Sequence, residues 1–317
     1  MENSSVVKQV EQQEKPRVLD TRGAGHDEKS FKAVALLTTR RVVAYVILII
    51  LSILCLFSVY ILIINATRSH GEINSGFSFI PGTHFVDNWN SMINSGLPVL
   101  RSFLNSFLIA LFSATLCTYF SAVTAYGIHM YEFKLKRIAF IFILVVMMVP
   151  NQISAIGLVK LANDMGLTGN SILVFIPLIV PAIASPIVFF YIKQYLESIL
   201  PKEMVEAARV DGAGEIRIFH GMVLPILKPA LAIQFIFSFV SNWNNYFVPQ
   251  LLLANSSSDY KTIPLILALL NDSSNPKAFD LGRVYMVMLF AVVPLLIVYL
   301  IFSRFILKNL TSGSVKG

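Results

Sequence analysis

Apolar residues fall along this chain in six long unbroken runs. Residues 42–64, 103–126, 138–159, 171–192, 230–253 and 284–303 contain no Asp, Glu, Lys or Arg. The runs are 20 to 24 residues long, and a helix needs about 20 to cross roughly 30 Å of hydrocarbon. Strand-type alternation is absent, which argues against a β-barrel. The pattern predicts an all-α integral membrane protein with six transmembrane helices. The expected organisation is a polar tail over 1–41, a first helix over 42–64 and a loop over 65–100. A core of five helices over 101–308 and a short tail over 309–317 follow.

Composition strengthens that picture. The 317 residues are 56% hydrophobic and 14% charged, with a mean hydropathy of +0.70. Soluble proteins are nearer a quarter charged. One soluble core of this length does not hide so much apolar surface. The two cysteines, Cys55 and Cys117, sit in apolar runs with no partner at metal-ligand spacing and read as small packing residues. The polar start, with its first apolar run only at Val42, does not resemble a signal peptide. It reads as a tail that is flexible to about Lys29.

Charge sets the expected orientation. The first 41 residues, the segments 127–137 and 193–229 and the C-terminal end hold 19 of the 25 Lys and Arg residues. By the positive-inside rule both termini are then expected to be cytoplasmic. The net charge of +7 is accounted for by anionic lipid, with no need for nucleic acid.

The segment 193–229 differs from an ordinary connector. Its 37 residues carry ten charges, five of each sign. Pro201, Glu203 and Glu206 suit a helix start. Met204, Val205 and Ala208 recur at helical spacing, and Gly212 and Gly214 break the pattern. A second short helix is expected from Glu215 to Met222, ahead of Leu224-Pro225. Two short helices about a glycine corner make a compact knob.

Those residues resemble a known family. Glu206-Ala207-Ala208, Asp211-Gly212-Ala213 and Met222-Val223-Leu224-Pro225, between the fourth and fifth runs, are similar to the EAA loop of ABC importer permeases. Met222 stands where Ile is usual. Arg101–Ser106 is similar to the opening of the conserved membrane domain, Asp211-Gly212-Ala213 with Pro225 and Pro229 look like the carbohydrate branch, and the C-terminal LTSGSVKG over 310–317 is similar to the tail of the maltose-type subunit. The resemblance implies the type I importer permease fold and a subunit with no catalysis of its own. It implies a homologous second permease subunit, two ATPase subunits and an extracytoplasmic sugar-binding protein. ATP and Mg²⁺ are expected on the ATPase subunits and no cofactor on this chain, which has no G-x-x-x-x-G-K-[ST] phosphate loop. Coupling to the ATPase is expected through Glu206, Ala207, Ala208, Asp211, Gly212, Ala213, Leu224 and Pro225.

A substrate path is sought where amides and hydroxyls enter apolar runs. Gln234, Ser238, Ser241 and Asn245 fall on one stripe of a fifth helix, with Asn242 beside them. Two roles stay open for them, a polar wall for sugar hydroxyls and hydrogen bonds between helices. Asn151 and Gln152 after Pro150 are further pathway candidates. Pro177, Pro181 and Pro186 in the fourth run are expected to kink it for packing. The loop 254–283 is expected to reach a binding protein, with 255–258 as a flexible tip. The rival readings are an ABC permease for a non-sugar solute, an ion-driven carrier and a membrane scaffold. No run contains a carboxylate, which argues against a proton-coupled carrier.

Overall fold

A computed structural model describes residues 22–271 and 279–312, with side chains over 38–271 and 279–303. The described residues are helical, without a strand. The expectations for 1–21, for 272–278 and for the last five residues lie outside them.

The described residues divide into two compact units, one up to Tyr60 and one from Ile61 onward. Helix α1, Arg22–Ala66, supplies the first apolar run, and its span-length part is Thr38–Ala66. The tail was expected to be flexible up to about Lys29; instead helix begins at Arg22. Side chains such as Leu48, Leu54 and Leu56 are exposed, as suits a helix whose solvent is lipid.

In the second unit, α2 (His70–Asn74) and α3 (Phe85–Ile93) precede α4 (Val99–Met130). Helix α4 has its small residues inside: Ser106, Ala110, Ser113, Ala114, Ser121, Ala122 and Ala125 are buried. Leu100, Leu104, Leu108 and Phe112 are exposed. Small residues let helix backbones approach closely where lipid offers no hydrophobic driving force between helices.

The third run is not a straight span. Helices α5 (Lys136–Met147) and α6 (Asn151–Asp164) meet at 97°. Pro150 lies in the break with ψ 130°. Proline has no N–H for the helix ladder and pushes the preceding residue toward an extended shape. Five described helices are therefore long and apolar enough to cross a membrane, and six only if the bent pair counts as one span.

The fourth run is broken as well. Two 3₁₀ turns, Ile172–Phe175 and Val180–Ile183, flank one α turn before α7, Pro186–Ile199. Ser185 caps α7 by accepting from the Val188 N–H at 3.5 Å, with Pro186 in the first turn. The chain continues through α8 (Lys202–Val210), α9 (Glu215–Trp243), α10 (Phe247–Leu252), α11 (Ile263–Leu270) and α12 (Leu281–Ser312).

The expected short helix over 215–222 is the start of α9. A π turn, Phe219–Val223, carries the chain through Leu224-Pro225 without a stop. There the Leu224 N–H bonds to the Phe219 carbonyl, five residues back. The 255–258 segment is tied rather than loose. Ser256 is buried and its hydroxyl donates to the Gly169 carbonyl at 2.9 Å. Asn105 Nδ2 donates to the carbonyls of Asp259 and Lys261 at 2.8 and 3.1 Å.

Candidate functional site: a clasped knob and a cavity on one helix

Helix α8 packs one face inward. Val205 is fully buried against Ile218, Phe219 and Val223 of α9 and residues of α4 and α7. Such burial of a valine contributes roughly 1.5–3 kcal/mol. Ala208, Ala213 and Leu224 are half-buried on the same cluster. They follow Val205 on the inner side and pack in part on the chain's own core. Glu206, Ala207, Asp211, Gly212 and Pro225 are exposed. Gly212 has φ +81°, a left-handed turn that L side chains enter at a cost of about 1–2 kcal/mol. Beside it stand two apolar side chains that sequence reasoning passed over, Val210 and Ile216, 88% and 79% exposed.

The two sides of the glycine corner are clasped. Arg209 Nε donates to Glu215 Oε1 at 2.7 Å, and Tyr126 Oη donates to Glu215 Oε2 at 2.9 Å. The Arg209 guanidinium lies 5.3 Å from the Tyr131 ring centre. The hydrogen bond it donates to Glu215 holds Arg209 even more firmly protonated than usual. Burial raises the Tyr131 phenol, with Glu215 adding to the shift. A second tie joins the start of α8 to α5: Glu132 Oε1 accepts from Lys136 Nζ at 2.8 Å and Lys202 Nζ at 3.1 Å. These bonds hold the Glu132 carboxyl below its ordinary range, Lys136 most strongly. The opposite charges of Arg209 and Glu215 flank a visible turn, so that pair was open to sequence reasoning. Nothing local marks Tyr126.

The other end of α9 meets a cavity of about 1240 Å³. Its wall includes Gln234, Ser238, Ser241 and Asn242 of α9, Asn151 and Ser154 at the α5–α6 elbow, and Tyr191 and Phe237. Gln234 and Ser238 are mostly buried, whereas Ser241 and Asn151 are exposed. Asn242 Nδ2 donates to the Ser238 carbonyl at 2.8 Å, so that amide is spent partly within its own helix. Asn245 leaves the expected stripe. Helix α9 ends at Trp243, and Asn245 Oδ1 accepts from the Val248 N–H at 3.4 Å instead of lining the cavity. Gln152 is exposed and does not line it. Pro181 and Pro186, expected to serve packing, are part of the wall, while Pro177 is buried. Both helix breaks open onto one space.

The family described as binding-protein-dependent transport system inner membrane component matches residues 118–311, which include the knob, the clasp to Tyr126 and the cavity helices. The chain belongs to that family. Its relatives are permeases. The arabinooligosaccharides transport system permease protein AraQ of Bacillus subtilis is 29% identical, over 87% of this chain and 96% of its own. The lactose transport system permease protein LacG of Rhizobium radiobacter is 31% identical, over 87% and 96%. The sn-glycerol-3-phosphate transport system permease protein UgpE of Yersinia pestis is 27% identical, over 85% and 95%. A crystal structure of a bacterial ABC transporter involved in import of the acidic polysaccharide alginate has a chain with the same fold. Its TM-score is 0.69 at 20% identity, over 83% of this chain and 95% of that one. The permease thus has the ABC importer architecture.

Proposed function

We propose that this permease is one membrane subunit of an ATP-driven importer of a sugar or oligosaccharide. The observation that carries the reading is the continuity of α9. One end of this helix is clasped to an exposed knob, and about 28 Å further along, at 1.5 Å per residue, the same helix forms the polar wall of the cavity. In this reading the knob docks on a cytosolic ATPase subunit, using Val210, Ile216 and the carboxylates of Glu206 and Asp211. Nucleotide-driven closure of two ATPase subunits moves the knob. The clasp passes the motion to α4 and α9 as a rigid-body step between two states. The termini and the knob lie on the cytoplasmic side, where Lys and Arg collect. An extracytoplasmic binding protein delivers the cargo, and a homologous permease supplies the other half of the path. ATP and Mg²⁺ stay on the ATPase subunits.

Sugar is favoured by the cavity's chemistry as well as by the oligosaccharide and lactose permeases among the relatives. Amides and hydroxyls pair with sugar hydroxyls, and Tyr191 and Phe237 offer flat apolar faces. The deciding experiment reconstitutes the permease with its partners and screens sugars loaded on the binding protein. One sugar should stimulate ATP hydrolysis and be imported only with ATP. Import that follows an ion gradient without ATP would replace this reading with a secondary carrier. Reversal of Glu206 to Lys should lower recovery of the ATPase in a pull-down; full recovery removes that residue from the contact.

A further inference from the structure

Helix α3, at the end of the bundle away from the knob, has three distinct faces. At about 100° per residue, Phe85, Trp89, Ile93 and Val86 fall within a stripe of roughly 100°. All four are exposed, Val86 at 64%. Asn90 and Asp87 follow on the next side, also exposed. Asn88 and Met92 form the third side and are buried. A water-facing helix has no use for the first stripe, and the buried side shows that the core is already served.

The contacts of α3 show which way the stripe points. Ser91 Oγ donates to Asp280 Oδ2 at 3.3 Å, just before the start of α12. The Trp89 ring instead meets Phe290, nine residues further along α12, edge-on at 5.9 Å between ring centres. Phe290 lies on Phe103 of α4 at 4.4 Å. The Trp89 side of α3 therefore turns along the spans toward their apolar middle. Leu100 and Leu104 of α4, the helix that follows α3 and touches it, are exposed apolar residues too. The helix is also held rigidly at this level. Asn88 Nδ2 donates to the carbonyls of Ala66 and Arg68, both at 2.9 Å, at the end of α1.

We infer that α3 is a membrane-interface anchor. Its Phe85–Val86–Trp89–Ile93 stripe sits at the boundary of headgroups and acyl chains, and its Asp87–Asn90 edge lies in water. Amphipathic helices with aromatic residues bury such a face about 5–10 Å into that boundary, and tryptophan is enriched there. The bilayer is the occupant because the stripe faces the apolar middle of the spans and the adjoining α4 exposes apolar residues too. Through Asn88, the anchor fixes the level at which α1 ends and α12 begins. This inference does not depend on the cargo.

The test uses the full chain with Cys55→Ser and Cys117→Ala. Single cysteines carrying a nitroxide are placed at Val86, Asp87, Asn90 or Ile93. The chain is measured in phosphatidylethanolamine–phosphatidylglycerol nanodiscs, alone and assembled with cysteine-free partner subunits. Oxygen, which concentrates in lipid, should relax the labels at 86 and 93 several-fold more than an aqueous nickel chelate does. At 87 and 90 the order should reverse. A label-free check uses Trp243→Phe, which leaves Trp89 as the only tryptophan of the chain; brominated lipid should quench its fluorescence. Labels at 86 and 93 that favour the nickel chelate would show a water-facing stripe and overturn the inference. Labels there shielded from both reagents would show a protein partner on the stripe, and overturn it equally.

Discussion

Two glycines of this permease answer to different constraints, and they break differently. At Gly212 there is nothing within 4 Å of an added Cβ, so the constraint is the φ of +81° alone. Alanine should cost about 1–2 kcal/mol in the turn and leave import mostly intact. Proline cannot reach that φ at all. Gly212→Pro should leave the spans inserted, as judged by protease mapping, but abolish ATP-driven import; normal import would refute the coupling role of the corner. Gly282 has the opposite problem. An added Cβ runs into Asn88 Oδ1 and the Arg68 carbonyl, which Asn88 also binds. Gly282→Ala should therefore destabilise the fold by about 1–3 kcal/mol, the range for overpacking. A lowered thermal midpoint in detergent, with ATPase binding retained, is the expected record. The sequence marks Gly212 by its place in a helix-ending pattern. It gives no sign of Gly282, because the obstacle comes from residues about 200 positions away.

At the scale of elements, the joint between α8 and α9 decides how stiff the knob is. The Arg209–Glu215 pair is partly exposed on both sides, so its contribution to stability is at most about 1 kcal/mol. Its effect lies in geometry: one carboxylate joins the end of α8, the start of α9 and the end of α4. Glu215→Gln keeps the shape but weakens the bond to Arg209. We expect the ATPase to be recovered in full while the sugar imported per ATP falls several-fold. The exchange Arg209→Glu with Glu215→Arg should restore part of that ratio. Loss of ATPase recovery would instead place Glu215 in the docking surface. The knob helix itself was legible from Pro201, the Val205–Ala208 spacing and the two glycines. The continuity of α9 was not. Leu224-Pro225 reads as a stop, whereas the π turn ahead of it bonds Leu224 to Phe219 and lets the helix continue.

For the whole molecule, the two breaks and the cavity belong together. The α5–α6 elbow at Pro150 and the Pro181–Pro186 break open on one space of about 1240 Å³. Ser241 is exposed on its wall. Ser241→Trp should block import while complex assembly and basal ATP hydrolysis persist; unchanged import would move the substrate path elsewhere. The same scale explains the chain's surface. Leu100, Leu104, Leu108 and Phe112 of α4 point out while most of its small residues point in, as suits a helix surrounded by lipid rather than water.

The linear pattern was enough to determine the membrane class, the approximate limits of the spans and the presence of a charged knob between the fourth and fifth. Those features depend on local quantities: the length of uncharged runs, helical spacing, and glycine or proline at their ends. Tertiary structure decided that the third run bends by 97°, that Asn245 caps a turn while Gln234 and Ser241 face a cavity, and that Tyr126 closes the Arg209–Glu215 pair. Each of these depends on where a distant segment places its backbone or its side chain. A sequence pattern records which residues are apolar, and packing alone determines which of them meet.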